Sequence, residues 1–156
     1  MVIKDQINSD LKTALLGGDK LKSETLRGLK AVILNEEVAK GKRDEGIEDE
    51  VIEQLIAREV KKRNESALIY DQAGRSELAE NERNEAKILS GYLPEQLSDD
   101  AIKATVVRVI SELGGAMGTP VLTISQAGQV IGAVKKELGN TADGATVARI
   151  VKNELN

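Results

Sequence analysis

The sequence predicts an all-α protein with an N-terminal four-helix half and a small C-terminal three-helix unit. Apolar residues recur at helical spacings along most of the chain, and glycines interrupt the pattern where helices commonly end. Alternation of apolar and polar residues, which is typical of a strand, occurs only at Val121–Ile124. Leu93-Pro94 closes the first half, because the residue before a proline is disfavoured in the helical region. We therefore expect domains at residues 1–94 and 95–156.

The first two predicted helices differ in how many apolar sides they carry. The first has an apolar residue at every fourth position, at Ile3, Ile7, Leu11 and Leu15. Gly17-Gly18 ends it. The second runs from about Lys20 to Lys40. One of its sides carries Leu21, Leu29, Val32 and Ile33, and another carries Leu34 and Val38. Two apolar sides predict a central position in the fold.

A long third helix and a shorter fourth helix complete the first half. The polar loop at residues 41–46 precedes the third helix, which runs from about Glu48 to Ala73. Gly74 breaks it. Ser76 is expected to cap the fourth helix, although Ala79 stands where a fuller capping box needs Glu or Gln.

Charged residues interrupt the apolar stripes of these two helices. Glu59 and Arg63 fall within the stripe of the third helix, and Glu82 and Glu85 within that of the fourth. Because unpaired charges away from water are costly, we expect a partly buried ion-pair network joining the helices, with Arg75 as a further cation. A di-iron site built from inward glutamates is the alternative, but such sites also use histidine, which this chain lacks. No metal is expected.

The C-terminal unit is predicted to contain three capped helices. Ser98 caps the fifth helix, Thr123 or Ser125 starts the sixth, and Asp143 caps the last. The segment Gly114–Pro120 is expected to be a flexible connector. The residues expected to face inward are Ile102, Val106, Val109, Ile110 and Leu113 in the fifth helix, and Val147, Ile150, Val151 and Leu155 in the last.

The sixth helix carries small residues and a cation on one side. Gly128, Gly132, Lys135 and Gly139 share this side at helical spacing. Glycine inside a helix costs roughly 1 kcal/mol relative to alanine, so the bare backbone should serve a purpose. One interpretation is a close helix crossing. The other is a smooth surface for a sugar-phosphate backbone, with phosphates met by Lys135, Lys136, Arg149 and Lys152.

Composition limits the chemistry of the chain. Its 156 residues include no Cys or His and carry a net charge of −4. A thiol or imidazole nucleophile and a Cys/His zinc site are therefore excluded, and broad electrostatic binding to nucleic acid is disfavoured. No Walker-type or G-x-G-x-x-G loop is present, so no cofactor and no catalytic residue is expected. The longest strictly apolar run is Ala31–Leu34, which predicts no signal peptide or membrane span and a cytoplasmic location.

Several motifs together resemble those of the YqeY family. They are Lys62-Arg63-Asn64-Glu65-Ser66, Tyr70-Asp71-Gln72-Ala73-Gly74-Arg75, Leu78, Glu82, Glu85, Tyr92-Leu93-Pro94, Gly128-x-Val130-x-Gly132-x-Val134-Lys135, Ala142-Asp143-Gly144 and Val151-Lys152-x-x-Leu155. The chain is also similar to the tail domain of GatB, a subunit of the tRNA-dependent amidotransferase, and to a domain appended to some glutaminyl-tRNA synthetases. It departs from the usual pattern at Gln126-Ala127, where an acidic residue and a methionine are expected.

This resemblance implies an all-helical, two-part fold and a tRNA-contacting appendage without catalysis. The family can carry the label of a carbon–nitrogen ligase with glutamine as amido donor. The resemblance implies that other domains, on an amidotransferase or an aminoacyl-tRNA enzyme, perform that reaction. The nucleic-acid contact residues are expected to be Gly128, Gly132, Lys135, Lys136, Gly139, Asp143, Gly144, Arg149 and Lys152. The rival hypothesis is a protein-interaction module that docks to an enzyme subunit without binding nucleic acid, as the net charge allows.

Overall fold

A computed structural model describes residues 2–119 and 121–155 of the chain. The predicted all-α class is confirmed, since the residues so described form helices and contain no strand. The chain divides into two compact units, Met1–Leu93 and Pro94–Asn156. That these units are separate domains stays a prediction. Within the described ranges, no helix is long and apolar enough to cross a membrane.

The N-terminal unit is built from four helices around an aliphatic core. They are α1 (Val2–Leu16), α2 (Lys20–Ala39), α3 (Asp49–Gln72) and α4 (Ser76–Ser90). Asp19 caps α2 by accepting a hydrogen bond from the Lys22 amide. Gly18 and Gly74 adopt positive φ angles of 71° and 73°, which turn the chain after α1 and α3. The core comprises Ile7, Leu11, Leu26, Leu29, Ile33, Ile47, Ile52, Leu55, Ile56 and Leu89.

Helix α2 buries only one of its two apolar sides. Leu29 and Ile33 are buried, whereas Leu34 is 44% and Val38 57% exposed. The predicted central position agrees with the structure in part: α2 packs against α1, α3 and α4. Its second apolar side is not covered by any described helix of this unit. Leu15, at the end of the α1 stripe, is exposed as well.

The ends of α3 and α4 differ from the predicted ones in two respects. Ser76 is the first residue of α4, and Arg75 occupies the N-cap position without a side-chain cap hydrogen bond. The predicted Ser76 cap is thus wrong. Ile69 lies in the last turn of α3 and is exposed despite being apolar, because the core cluster does not extend to this end of the helix.

The C-terminal unit contains α5 (Asp99–Ala116), α6 (Ala127–Leu138) and α7 (Gly144–Glu154). Short 3-10 turns at Ile124–Gln126 and Gly139–Thr141 flank α6. The predicted caps Ser98 and Asp143 are confirmed, since their side chains accept hydrogen bonds from the amides of Ala101 and Thr146. The core comprises Ile102, Val106, Val109, Leu122, Ala127, Val130, Val134, Ala142, Val147, Ile150, Val151 and Leu155.

The predicted connector is shorter than expected, because α5 continues through Gly114, Gly115 and Ala116. Gly118 then turns the chain with a φ of 67°. Gly114 is buried, and a Cβ atom there would meet the Thr119 carbonyl oxygen at 3.0 Å. Its missing side chain lets the chain fold back on the end of α5. Pro120 lies outside the described residues.

Candidate functional site

The glycine side of α6 is open to solvent. Gly128 and Gly132 are both exposed, and a Cβ atom built on either would meet nothing within 4 Å in the described chain. A close helix crossing inside this protein therefore does not explain these two glycines. Of the two interpretations that the sequence left open, the exposed surface is the one that agrees with the structure.

Lys135 stabilises the C-terminal end of α6. Its ammonium group donates hydrogen bonds to the carbonyl oxygens of Gly139 at 2.9 Å and of Ala142 at 2.6 Å. Gly139 ends the helix with a φ of 56° and a ψ of −132°, a conformation that suits only glycine. Lys135 thus caps the helix C-terminus, where a cation is favoured by the dipole. Its ammonium group is therefore engaged within the chain, and its predicted contact with a phosphate stays a prediction.

Two of the other predicted contact residues are also engaged. Arg149 pairs with Asp99 at 2.8 Å across the exposed surface of α7 and α5. The Asp143 carboxylate caps α7 and accepts hydrogen bonds from the Thr146 amide and hydroxyl, both at 3.1 Å. The Asp143 carboxylate therefore stabilises the start of α7, and its predicted contact with nucleic acid stays a prediction.

Two cations remain unpaired in this unit. Lys136 and Lys152 are exposed, and neither forms an ion pair or side-chain hydrogen bond within the described residues. Lys136 follows Gly132 by four residues, which places its side chain one turn further along the same side of α6. Gly144, the first residue of α7, is exposed too. The open surface of α6 therefore consists of Gly128, Gly132 and Lys136.

The remaining surface charges of the unit are largely mutually paired. Arg108 on α5 pairs with Glu112 at 2.9 Å and with Glu137 on α6, and Lys103 pairs with Glu154 at 3.5 Å. The Arg108–Glu137 pair could not be predicted from sequence, because it joins residues on different helices. Pairing of this kind reduces the positive field available to a nucleic acid.

In the N-terminal unit, Arg63 joins α3 to α4. Its guanidinium contacts Glu59 at 2.6 Å and Glu85 on α4 at 3.1 Å. The three side chains are 17%, 16% and 29% exposed, respectively, so water reaches each of them in part. Burial and the nearby Glu85 carboxylate raise the pKa of Glu82, and the Arg63 charge opposes this effect.

Not every member of the expected network belongs to it. Arg75 lies exposed at the start of α4, and its side chain forms no ion pair in the described chain. Instead, Arg83, further along α4, forms an ion pair with Asp71 of α3. The spacing of Asp71 four residues after the buried Ala67 is the signal that could have identified it.

Helix α2 carries a buried carboxylate that was not predicted from the sequence. Glu37 on α2 is 1% exposed and accepts a hydrogen bond from the Lys4 ammonium group on α1 at 2.6 Å. Its position four residues after the buried Ile33 could have revealed it. Among the described residues, no group of three His, Cys, Asp or Glu side chains is placed to hold a metal ion.

Comparison with known proteins identifies related sequences. The model of a family described as "Yqey-like protein" matches residues 4–155, which confirms the resemblance that the motifs indicate. "Altered inheritance of mitochondria protein 41, mitochondrial" of Kluyveromyces lactis is 32% identical over 110 residues, covering 69% of this chain and 58% of that protein. The protein of the same name from Lachancea thermotolerans is 31% identical over 110 residues, covering 69% and 57%. The matched segment spans less than two thirds of either relative.

These names correct one expectation. The relatives are called mitochondrial proteins, so the prediction of a cytoplasmic location is wrong. That prediction depended on the lack of an apolar leader. Mitochondrial transit peptides are amphipathic and rich in arginine rather than apolar, so the lack of an apolar run does not identify the compartment.

Proposed function

Because the chain belongs to the Yqey-like protein family, we propose that it is a non-catalytic accessory module that contacts the sugar-phosphate backbone of tRNA through α6. The observation that carries the proposal is the open surface of α6, where two helical glycines serve no packing role within the described chain. The similarity to the GatB tail domain supplies the ligand class. In this proposal, amide transfer belongs to an amidotransferase or an aminoacyl-tRNA enzyme that the module serves.

The physical argument starts from the two glycines. Glycine destabilises a helix interior by roughly 1 kcal/mol relative to alanine, and nothing in the described chain gains from the missing side chains at Gly128 and Gly132. An external partner that approaches the backbone closely would gain from them. A ribose-phosphate chain fits this description, since its bulk can rest on a bare helix while a neighbouring lysine meets a phosphate.

The charge distribution predicts a local contact rather than a broad one. Lys136 and Lys152 are the unpaired cations of the described C-terminal unit, whereas Arg108, Arg149 and Lys103 are matched by carboxylates. Each neutralised phosphate contributes about −0.9 to the slope of log affinity against log salt on a duplex. We therefore expect a shallow slope of roughly −1 to −3, together with recognition through shape.

The experiment is a titration of labelled bulk tRNA with the full chain, followed by fluorescence anisotropy across a salt series. Lys136→Glu should lower the affinity roughly tenfold at low salt and reduce the slope by about one. Gly132→Leu should weaken binding by placing a side chain on the open surface without disturbing the fold. Lys61→Glu, on an exposed position of α3, makes the same charge change elsewhere and should bind like the parent protein.

Three results would refute the proposal: no binding at low salt, equal affinity of parent, Lys136→Glu and Gly132→Leu, or an equal loss with Lys61→Glu. The first would favour the protein-interaction hypothesis. Lys135→Glu is unsuitable as a probe, because it would remove the cap at the end of α6 and confound folding with binding.

A further inference from the structure

The second apolar side of α2 is an unexplained surface of the N-terminal unit. Ala31, Leu34 and Val38 are exposed along it, at positions that share one side of the helix. They continue into a cavity of about 230 Å³ between α1 and α2. Its lining residues are Lys4, Ile7, Lys30, Ala31, Ile33, Leu34 and Glu37. We call this surface, with its cavity, the α2 groove.

The charges at the groove are predominantly positive. Arg27 lies one turn before Ala31 on the exposed side of α2, and Lys30 lines the cavity. Neither has an acidic partner within the described chain. The acidic group in the lining, Glu37, is buried and already neutralised by Lys4 at 2.6 Å. The Lys4 side chain is 31% exposed, and its ammonium group is paired with Glu37, so Arg27 and Lys30 are the cations left for a ligand at the groove.

We infer that the α2 groove binds an amphipathic helix of a partner protein, with apolar residues at i and i+4 and acidic residues beside them. The apolar residues would cover Leu34 and Val38 and fill the cavity, while the acidic residues would meet Arg27 and Lys30. Grooves between two helices commonly take a third helix in this way. The positive charges select an acidic helix over a basic one.

The proposal concerns a different unit from the open surface of α6, so it stands or fails independently of RNA binding. It also explains why apolar residues are exposed on the second side of α2. Contiguous apolar residues on a surface, bordered by charges, are typical of protein-interaction sites.

Two synthetic amphipathic peptides with identical apolar residues, one with glutamates and one with lysines on the flanks, test the proposal. Each is titrated into the isotope-labelled full chain and followed by NMR chemical shifts. The acidic peptide should bind with shifts centred on Ala31, Leu34 and Val38, and at least about tenfold more tightly than the basic peptide. Leu34→Gln should weaken the acidic peptide about tenfold, whereas Leu68→Gln, at an exposed leucine of α3, should not.

Charge reversal sharpens the test. Arg27→Glu combined with Lys30→Glu should invert the preference toward the basic peptide, and Lys61→Glu with Lys62→Glu, the same change on α3, should leave it unaltered. All these positions are exposed, so the variants should fold like the parent protein.

Four outcomes would overturn the proposal. They are failure of the acidic peptide to bind at millimolar concentration, equal binding of both peptides, Leu34-dependent self-association in sedimentation, and Leu34-dependent binding to phosphatidylglycerol vesicles. The last two would assign the groove to a second copy of the chain or to a membrane surface.

Discussion

The α3–α4 pair and helix α6 both place small residues beside charged ones on one side of a helix, yet they use them in opposite ways. Ala67 of α3 and Ala79 and Ala86 of α4 are buried. Ala67 lies between Arg63 and Asp71, which both pair with residues of α4, so it faces that helix. In α6, by contrast, the glycines face open space.

The charges follow the same division. Arg63 is held between the Glu59 and Glu85 carboxylates and stabilises the association of two helices. Lys136 has no partner in the described chain and is available to an external ligand. At α3 and α4 the small residues lie where two helices of the chain pack closely. At α6 no described residue approaches the glycines, and we propose that a separate molecule does.

The largest effect on stability is expected from placing a larger side chain at a buried alanine of α4. Ala79 is fully buried, so Ala79→Leu should lower the free energy of unfolding by about 3 kcal/mol through overpacking. Urea unfolding measures the change. Ala57→Leu, on an exposed position of α3, should stay within about 0.5 kcal/mol of the parent. Equal behaviour of the two variants would show that α3 and α4 do not meet closely at Ala79.

The next effect concerns the bridging charge. Arg63→Met leaves Glu59 and Glu85 without their cation and should lower the free energy of unfolding by about 2 kcal/mol. This is less than for a fully buried pair, since water reaches all three side chains. Arg83→Met removes a more exposed pair and should have an effect under about 1 kcal/mol. A urea midpoint of Arg63→Met that matches the parent would show that the carboxylates are fully solvated.

A substitution on the open surface of α6 should stabilise the protein, in contrast to the two destabilising changes above. Gly132→Ala adds a Cβ that meets nothing, so it should stabilise α6 by about 1 kcal/mol. Amide hydrogen exchange within α6 reports the gain. Gly139→Ala provides the contrast: its φ of 56° is unfavourable for alanine, and protection should fall. Reduced protection in Gly132→Ala would mean that this side of α6 is covered after all.

The smallest expected effect is pH-dependent. The raised pKa of Glu82 means that the folded protein holds this proton to a higher pH than the unfolded chain does. The folded state is therefore penalised as the pH rises through that pKa. Glu82→Gln should relieve the penalty, giving a gain under about 1 kcal/mol at pH 7 that disappears below the ordinary carboxyl pKa of 4.5. Unfolding curves at both pH values test this, and a gain of equal size at low pH would contradict it.

The helices, several of their caps and much of the core can be predicted from the order of residues along the chain. Apolar spacing, with Gly74 and Gly139 as stops, is local information, and so are the side-chain caps made by Ser98 and Asp143. The Arg63–Glu59 pair was predictable for the same reason, since residues four apart in a helix are neighbours. Motif similarity added the family.

Which helix faces are covered depends on the tertiary fold. It exposed Leu34 and Val38, buried Glu37 against Lys4, left Arg75 outside the ion pairs, and engaged Lys135 at the end of α6. Helical periodicity specifies which residues share a side. Burial and charge pairing depend on the element that meets that side, and that element is distant in sequence.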